Sequence, residues 1–385
     1  MNRDVVIVAA IARTPLANFS GGFRQITAPM LGGEAIQAAV TRAGLKPDQI
    51  DEVIMGCVLP AGTGQAPARQ AALHAGLPVK VPCTTLNKVC GSGMKAIMLA
   101  QDMLIAGSTD IIVAGGMENM TRAPYLLAGA RAGYRIGHSE VIDHMLRDGL
   151  ENAYDGKSMG FFAERTATDF GFTREQQDSF ALTSLMRARA AIAEKLFVEE
   201  ITPVAGIDTD ERPGSVSPEK IPTLKPAFAE NGTVTAANSS AISDAGAALV
   251  LMRESTATQL AVRPLARIIA HITHADTPDA FTTAPIGAIQ KLLAKTGWNI
   301  GDVDLFEINE AFAVVAMAAM KTLQIPHEKL NVNGGACALG HPIGATGARI
   351  TVTLIAALRQ RNLKRGIAAL CIGGGEATAI AIEIP

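Results

Sequence analysis

The sequence predicts an α/β protein built from two similar halves, packed into five layers (α-β-α-β-α), with a loop-rich lobe inserted in the first half. Three observations predict it. Short, continuously apolar runs alternate with helical stretches, which argues for strands covered on both faces. The same order of features occurs twice, about 250 residues apart. Between the copies lies a stretch of different composition.

The elements follow in chain order. Val5–Ala12 is an apolar run read as a buried first strand. Its Ala10-Ile11-Ala12 imitates a cleavage site, but Asp4 precedes the run and Arg3 is the whole basic leader. Ile50-Asp51-Glu52-Val53-Ile54-Met55-Gly56 places an acidic cap before a short apolar strand, and Val303-Asp304-Leu305-Phe306-Glu307-Ile308 does the same. Each leads to a Gly-rich turn, Cys90-Gly91-Ser92-Gly93 in one copy and Gly340-His341-Pro342-Ile343-Gly344 in the other. The turns open long apolar helices, predicted over Gly93–Ala106 and Gly344–Arg361. Each helix gives way to a buried strand ending in glycines, Asp110–Gly116 and Ile367–Gly375. The first half is therefore 1–118 and 243–265, the inserted lobe 119–242, and the second half 266–385. Within the lobe the spacing predicts an amphipathic helix over Arg174–Leu196. Asp244–Met252 returns to the style of a buried strand.

Composition fits this plan. The 385 residues are 48% apolar and 18% charged, enough for a large core and too apolar for disorder. With 12 Phe, 3 Tyr and 1 Trp, the interior must be filled by aliphatic residues, and 37 glycines permit close backbone approach. A net charge of −2 offers no basic face for nucleic acid. The longest apolar run, Ala311–Met320, is too short to span a bilayer. Five cysteines (Cys57, Cys83, Cys90, Cys337, Cys371), odd in number and without a CxxC, suit free thiols in a reducing compartment, so the expectation is a cytoplasmic protein.

Four stretches carry chemistry. Cys90 sits between a strand and a helix, where the helix terminus should favour thiolate; a structural cysteine at a helix start is the plain alternative. His341 holds the place in the second copy that Cys90 holds in the first. If the halves are related by a pseudo-two-fold, imidazole and thiol face each other as base and nucleophile. Cys371 ends a strand before Gly373-Gly374-Gly375, where open α/β folds place their sites; it is either an acid/base or a small buried hydrophobe. Asn309-Glu310-Ala311-Phe312-Ala313 is a polar pair before an apolar helix, an N-cap or a holder of a water or a carbonyl oxygen. His271 and His274, read on one helical or loop face without supporting carboxylates or thiols, point to surface or packing residues rather than a metal.

Together Cys90-Gly91-Ser92-Gly93, Gly115-Gly116-Met117-Glu118-Asn119-Met120, Asn309-Glu310-Ala311-Phe312, Gly340-His341-Pro342 and Cys371-Ile372-Gly373-Gly374-Gly375 resemble the thiolase family over the whole chain. Gln65–Gln70 and Arg135–His138 are similar to its acetoacetyl-CoA (biosynthetic) branch. The resemblance implies an acyltransferase that joins two acetyl-CoA into acetoacetyl-CoA plus CoA. CoA is then substrate and product, with no other cofactor and no metal. It further implies Cys90 as nucleophile, His341 and Cys371 as proton-transfer groups, and oxyanion holes from His341 with a water on Asn309 and from the N–H groups of Cys90 and Gly373. CoA contacts map onto Leu150, Met159, Phe228, Ser240, Ala311 and Phe312. Departures from the family pattern fall at Ser158, often His, at Phe281, often Met, and at Ser239 and Ala241, usually Ala and Gly. Tyr125–His144 resembles the segment by which tetrameric members associate, which implies a homotetramer. The rival implications are a degradative 3-ketoacyl-CoA thiolase, a ketoacyl synthase, against which Cys371 argues, and a non-catalytic CoA- or lipid-binding relative.

Overall fold

The computed structural model describes residues 4–385. The first half runs β1 (Val6–Arg13), the short β2 (Ala17–Asn18), α1 (Ala28–Arg42), β3 (Glu52–Gly56), α2 (Pro67–His74), β4 (Cys83–Leu86), α3 (Ser92–Ala106) and β5 (Ile111–Asn119). The chain then leaves the sheet. It forms a small hairpin of β6 (Tyr125–Leu126) and β7 (Ile142–Asp143), then α4 (Met159–Phe170), α5 (Arg174–Ala193) and α6 (Glu211–Ser215). It re-enters through β8 (Ser243–Arg253) and α7 (Glu254–Gln259). The second half repeats the first: β9 (Ala266–Ala275), α8 (Ala284–Thr296), β10 (Leu305–Ile308), α9 (Ala313–Leu323), α10 (Ala336–Leu339), α11 (Thr346–Gln360), β11 (Arg365–Ile372) and β12 (Glu376–Glu383).

The strand orders β1-β8-β5-β3-β4 and β9-β12-β11-β10 share one pattern of parallel and antiparallel neighbours. The duplication reaches single hydrogen bonds. Asp51 accepts the N–H groups of Asp110 and Ile111 at 3.0 and 2.9 Å, and Asp304 accepts those of Lys364 and Arg365 at 2.9 and 2.8 Å. Each acidic cap thus ties the start of one strand to the start of its parallel neighbour.

The five layers are present, but the two half-sheets are not separate. A short ladder, Val6–Val8 against Ala266–Ile268, joins them into one ten-stranded sheet. Helices α3 and α11 form the middle layer. Met94, Ile97, Leu104, Ile350, Leu354 and Leu358 pack on Ile112 and Leu249 of one half-sheet and on Leu370 and Ile380 of the other. Each such Ile or Leu contributes about 1.5–3 kcal/mol by burial. Helices α1 and α2 cover the outer face of the first half-sheet, and α8 and α9 that of the second. Val89–Ala106 is long and apolar enough to cross a membrane, yet it is this middle-layer helix with its preceding turn.

Two glycines set the contact between the central helices. A Cβ at Gly93 would lie 2.8 Å from Ala348 N, and one at Gly347 would lie 2.4 Å from Met94 N. The helix N-termini therefore meet backbone to backbone, and the two catalytic-candidate turns meet with them.

The inserted lobe is anchored by charge. Fully buried Arg13, at the end of β1, pairs with Glu200 at 2.7 Å and with both oxygens of Asp210 at 2.7 and 2.9 Å. Removing one partner of such a group would strand a buried charge at a cost of about 3–5 kcal/mol. The predicted lobe helix is α5, which stops three residues early and buries Phe180, Ser184, Leu185, Ala188 and Ala191 along one face. His271 and His274 correct the sequence reading: both lie on β9, not on a helix or loop. Three residues apart on a strand, they face opposite sides. His271 meets Asp102 at 3.0 Å, and His274 packs over Gly287 of α8.

Candidate active site

The Cys90 turn is bent tightly between β4 and α3. Val89 has φ of 46°, an outlier region for a β-branched residue. Ser92 braces it: its Oγ accepts the Lys88 N–H at 2.8 Å and donates to the Val89 carbonyl at 2.7 Å. A Cβ at Gly91 would sit 2.4 Å from Ile372 of β11, so glycine lets the second half close over the turn. The expectation that the helix terminus favours thiolate is not met. Burial pushes the Cys90 thiol up to about 11, against the downward pull of the Gly373 N–H and its own N–H, and the charge of Glu118 adds to the rise. Desolvation in the seam between the halves outweighs the helix terminus.

The His341 turn is held more rigidly. It follows the single-turn helix α10, and Gly340 has φ of 112°, where a Cβ would come within 2.0 Å of Ser243 Oγ. The His341 N–H donates to the Ala241 carbonyl at 2.9 Å. Its Nδ1 lies 2.6 Å from Thr346 Oγ1, whose one proton goes to the Pro342 carbonyl at 2.9 Å. The hydroxyl must therefore accept from Nδ1–H, which leaves Nε2 as the basic nitrogen. Asn309 Nδ2 stands 3.4 Å from that Nε2, and Asn309 Oδ1 is buried without a protein partner. Burial, aided by the charge of Arg349, lowers the imidazole to about 3. The base is neutral at any ordinary pH.

Cys371 is the penultimate residue of β11, 1% exposed. Burial raises its thiol well above the ordinary value, and the charge of Cys90 raises it further. Past it lies Gly373, whose N–H opposes the rise of the Cys90 thiol. Gly374 and Gly375 have φ of 92° and 86°, and a Cβ on Gly375 would meet the Thr277 carbonyl at 2.2 Å.

One cavity of about 720 Å³ collects these groups. Cys90, His341, Cys371 and Gly373 line it, and so do all six expected CoA contacts: Leu150, Met159, Phe228, Ser240, Ala311 and Phe312. Asn309 does not line it and is reached through His341. Ser240 donates its N–H to the Ala311 carbonyl at 3.0 Å, and Ser239 bridges Phe312. Ala241 avoids the left-handed region, so the glycine usual in the family is not required there. Phe281 and Ser158 line the cavity as well; Phe281 is 2% exposed and edge-on to Phe162, with ring centroids 6.1 Å apart. Sequence reasoning missed Arg212 of α6. It lines the same cavity, donates to the carbonyls of Cys337 and Ala236 at 3.0 and 3.1 Å, and has no carboxylate partner among the described residues. No motif marks it, because the irregular lobe carries it to the cavity.

Fold and site together define a duplicated α/β protein with a thiol–imidazole–thiol centre at the seam. The model of the thiolase N-terminal domain matches residues 5–255, and that of the thiolase C-terminal domain residues 262–384. An acetyl-CoA acetyltransferase of Cupriavidus necator is 48% identical, with 99% of each chain covered. Acetyl-CoA acetyltransferase 2 of Arabidopsis thaliana is 49% identical over 99% of this chain and 97% of its own. Among solved structures, an acetyl-CoA acetyltransferase of Bacillus anthracis superposes with a TM-score of 0.97 at 40% identity, covering 100% of this chain and 99% of its own. A thiolase of Ascaris suum in complex with coenzyme A gives 0.95 at 39% identity, covering 99% of this chain and all of the other. This chain belongs to the thiolase family.

Proposed function

We propose that the protein is an acetyl-CoA C-acetyltransferase, which joins two acetyl-CoA into acetoacetyl-CoA and CoA, reversibly, through an acetylated Cys90. The observation that carries this reading is the convergence of Cys90, His341, Cys371 and Gly373, drawn from both halves, on the lining of one cavity. Cys90 attacks the thioester carbonyl while its proton passes to His341 Nε2. Both thiols rest protonated, so Cys371 reaches the thiolate it needs by giving its own proton to the departing CoA sulfur; where Cys371 is absent, the imidazolium of His341 can supply that proton instead. Cys371 is then a thiolate, formed when the next step needs it. It takes a proton from the methyl carbon of the second acetyl-CoA. The enolate attacks the acetyl-Cys90 carbonyl, and Cys90 leaves and recovers its proton from His341. The starting protonation returns.

The difficult species is the enolate, because a thioester α-proton is far less acidic than a thiol. Its oxyanion needs donors placed in advance. His341 Nε2 becomes such a donor once it has taken the Cys90 proton, and Asn309 Oδ1 is free to hold a water beside it. The N–H groups of Cys90 and Gly373 serve the acetyl carbonyl. Phe281 and Met159 fill the acyl end, which favours four-carbon over longer ketoacyl chains and so this reaction over the degradative one.

CoA enters along the lobe and needs no further cofactor. Five free thiols suit a cytoplasmic setting. The hairpin segment exposes Tyr125, Leu127, Ile136 and Val141, an apolar surface suited to a homotetramer. A solution mass of about 160 kDa, four copies of the 40.1 kDa chain, is expected; about 80 kDa contradicts it. The activity is tested by CoA-dependent cleavage of acetoacetyl-CoA, with mass spectrometry of Cys90. Cleavage with an acetylated Cys90 is expected, and its absence removes the reading.

A further inference from the structure

Behind the two turns lies a carboxyl group that the mechanism above does not use. Glu118, near the end of β5, has no solvent exposure. Its Oε2 accepts the Val58 N–H at 3.0 Å and the Gly344 N–H at 2.9 Å. Its Oε1 accepts the Leu59 N–H at 3.2 Å, with the Cys57 sulfur 3.7 Å away. Val58 and Leu59 follow β3 in the first half, whereas Gly344 belongs to the His341 turn of the second. One carboxyl group therefore stitches the two halves together three residues from the imidazole.

The stitch has no slack. A Cβ on Gly344 would come 2.5 Å from Glu118 Oε2, and one on Gly116 would come 2.1 Å from the Gly344 carbonyl. The other end of the same turn is held in a like way. Glu310 accepts the Cys337 N–H at 3.0 Å while receiving bonds from Ser184 and Asn331, both at 2.8 Å. The segment carrying His341 thus hangs between two buried carboxyl groups, one from each half. Burial raises Glu118 to about 7, so it is held there against its own desolvation. Ile343, between His341 and Gly344, lines the cavity, as does Met120 just beyond Glu118, so a slip of this stitch moves the cavity wall.

We propose that Glu118 is a positioning residue: it fixes the His341 turn against the first half so that Nε2 stays within reach of the Cys90 thiol. This rests on the acyl-transfer reading above. A displacement of about 1 Å between reacting groups costs about 10²-fold in rate. In Glu118→Gln one oxygen can still bridge Val58 and Gly344, but the new amide faces the Leu59 N–H, donor against donor.

The test measures acetoacetyl-CoA cleavage and the rate of Cys90 alkylation by iodoacetamide, in wild type and in folded Glu118→Gln. The expected result is a kcat lower by about 10²-fold, a KM for acetoacetyl-CoA within about twofold, and slower alkylation of Cys90. A folded variant with wild-type kcat overturns the proposal, as does a loss of kcat no larger than the loss of folded protein. If Glu118→Gln does not fold, Gly344→Ala decides. Its Cβ drives the turn off an intact Glu118, and it must show the same split between kcat and KM or the proposal fails. A wild-type enzyme that fails to cleave acetoacetyl-CoA sinks the acyl-transfer reading itself, before any variant is compared.

Discussion

The Cys90 and His341 turns occupy the same place in the two halves, yet they are built to opposite ends. The Cys90 turn is strained at Val89, braced by one serine hydroxyl, and leaves its sulfur open to the cavity. The His341 turn is buried, fixed through Nδ1 by Thr346, and pinned by carboxyl groups on both sides. Duplication supplied position, and the surroundings supplied chemistry. A nucleophile must be reached by substrate and must change partners. A base has only to rest neutral, correctly oriented and still until it takes its proton.

The sharpest way to break this comparison is to remove the reachable partner. Cys90→Ala is expected to lower acetoacetyl-CoA cleavage by at least about 10⁴-fold while CoA binding persists, because no other group can carry the acetyl. Activity within tenfold of wild type would move the nucleophile elsewhere. A smaller effect comes from the still partner. Asn309→Ala leaves His341 Nε2 without its neighbour and should cost about 10²–10³-fold in kcat, the usual value of one oxyanion donor. Asn309 does not cap α9, whose N-cap is Phe312, so an unchanged kcat would mean that Asn309 takes no part in stabilising the oxyanion.

Smaller again is the acyl end. Phe281→Ala should raise the ratio of six-carbon to four-carbon ketoacyl-CoA cleavage about tenfold, measured as kcat/KM, the scale of one added methylene in an apolar pocket. An unchanged ratio would show that Phe281 does not set chain length. The smallest expected effect is on stability. Glu118 and Glu307 are raised by burial from 4.5 to about 7 and about 8, so between their ordinary and folded values the native state binds more protons than the unfolded chain. Stability then falls as pH rises through that window. His341 acts oppositely, but only below 6.5, since it is lowered from there to about 3. From pH 6.5 to 8 the carboxyl groups act without that opposition, and Tm should decline by a few degrees. A rising Tm over that range would contradict their burial as acids.

Much of the scaffold was legible because each half repeats it. Asp51 and Asp304, the apolar strands after them, and the glycines of both turns recur in the sequence about 250 residues apart, and each marks a local hydrogen bond or close approach. The cavity lining was legible only through resemblance, since Leu150, Met159 and Phe228 have no periodic signal of their own. What stayed hidden depends on distant partners. The raised thiol of Cys90 follows from a strand some 280 residues away closing over it, so a local argument from the helix terminus gave the wrong sign. Arg13 meets Glu200 and Asp210 across the inserted lobe, and Glu118 meets Gly344 across the seam. His271 and His274 were misplaced because a strand with histidines in it breaks the apolar pattern that marks strands.

The most direct measurement uses Cys371→Ala incubated with acetyl-CoA and examined by mass spectrometry. If two thiols share one substrate carbon across the seam, Cys90 should still carry an acetyl group in that variant. It should accumulate there, with acetoacetyl-CoA formation lowered by about 10²–10⁴-fold, the usual contribution of a general acid–base group. Acetoacetyl-CoA formed at the wild-type rate, or an acetyl group found on a residue other than Cys90, would contradict the account.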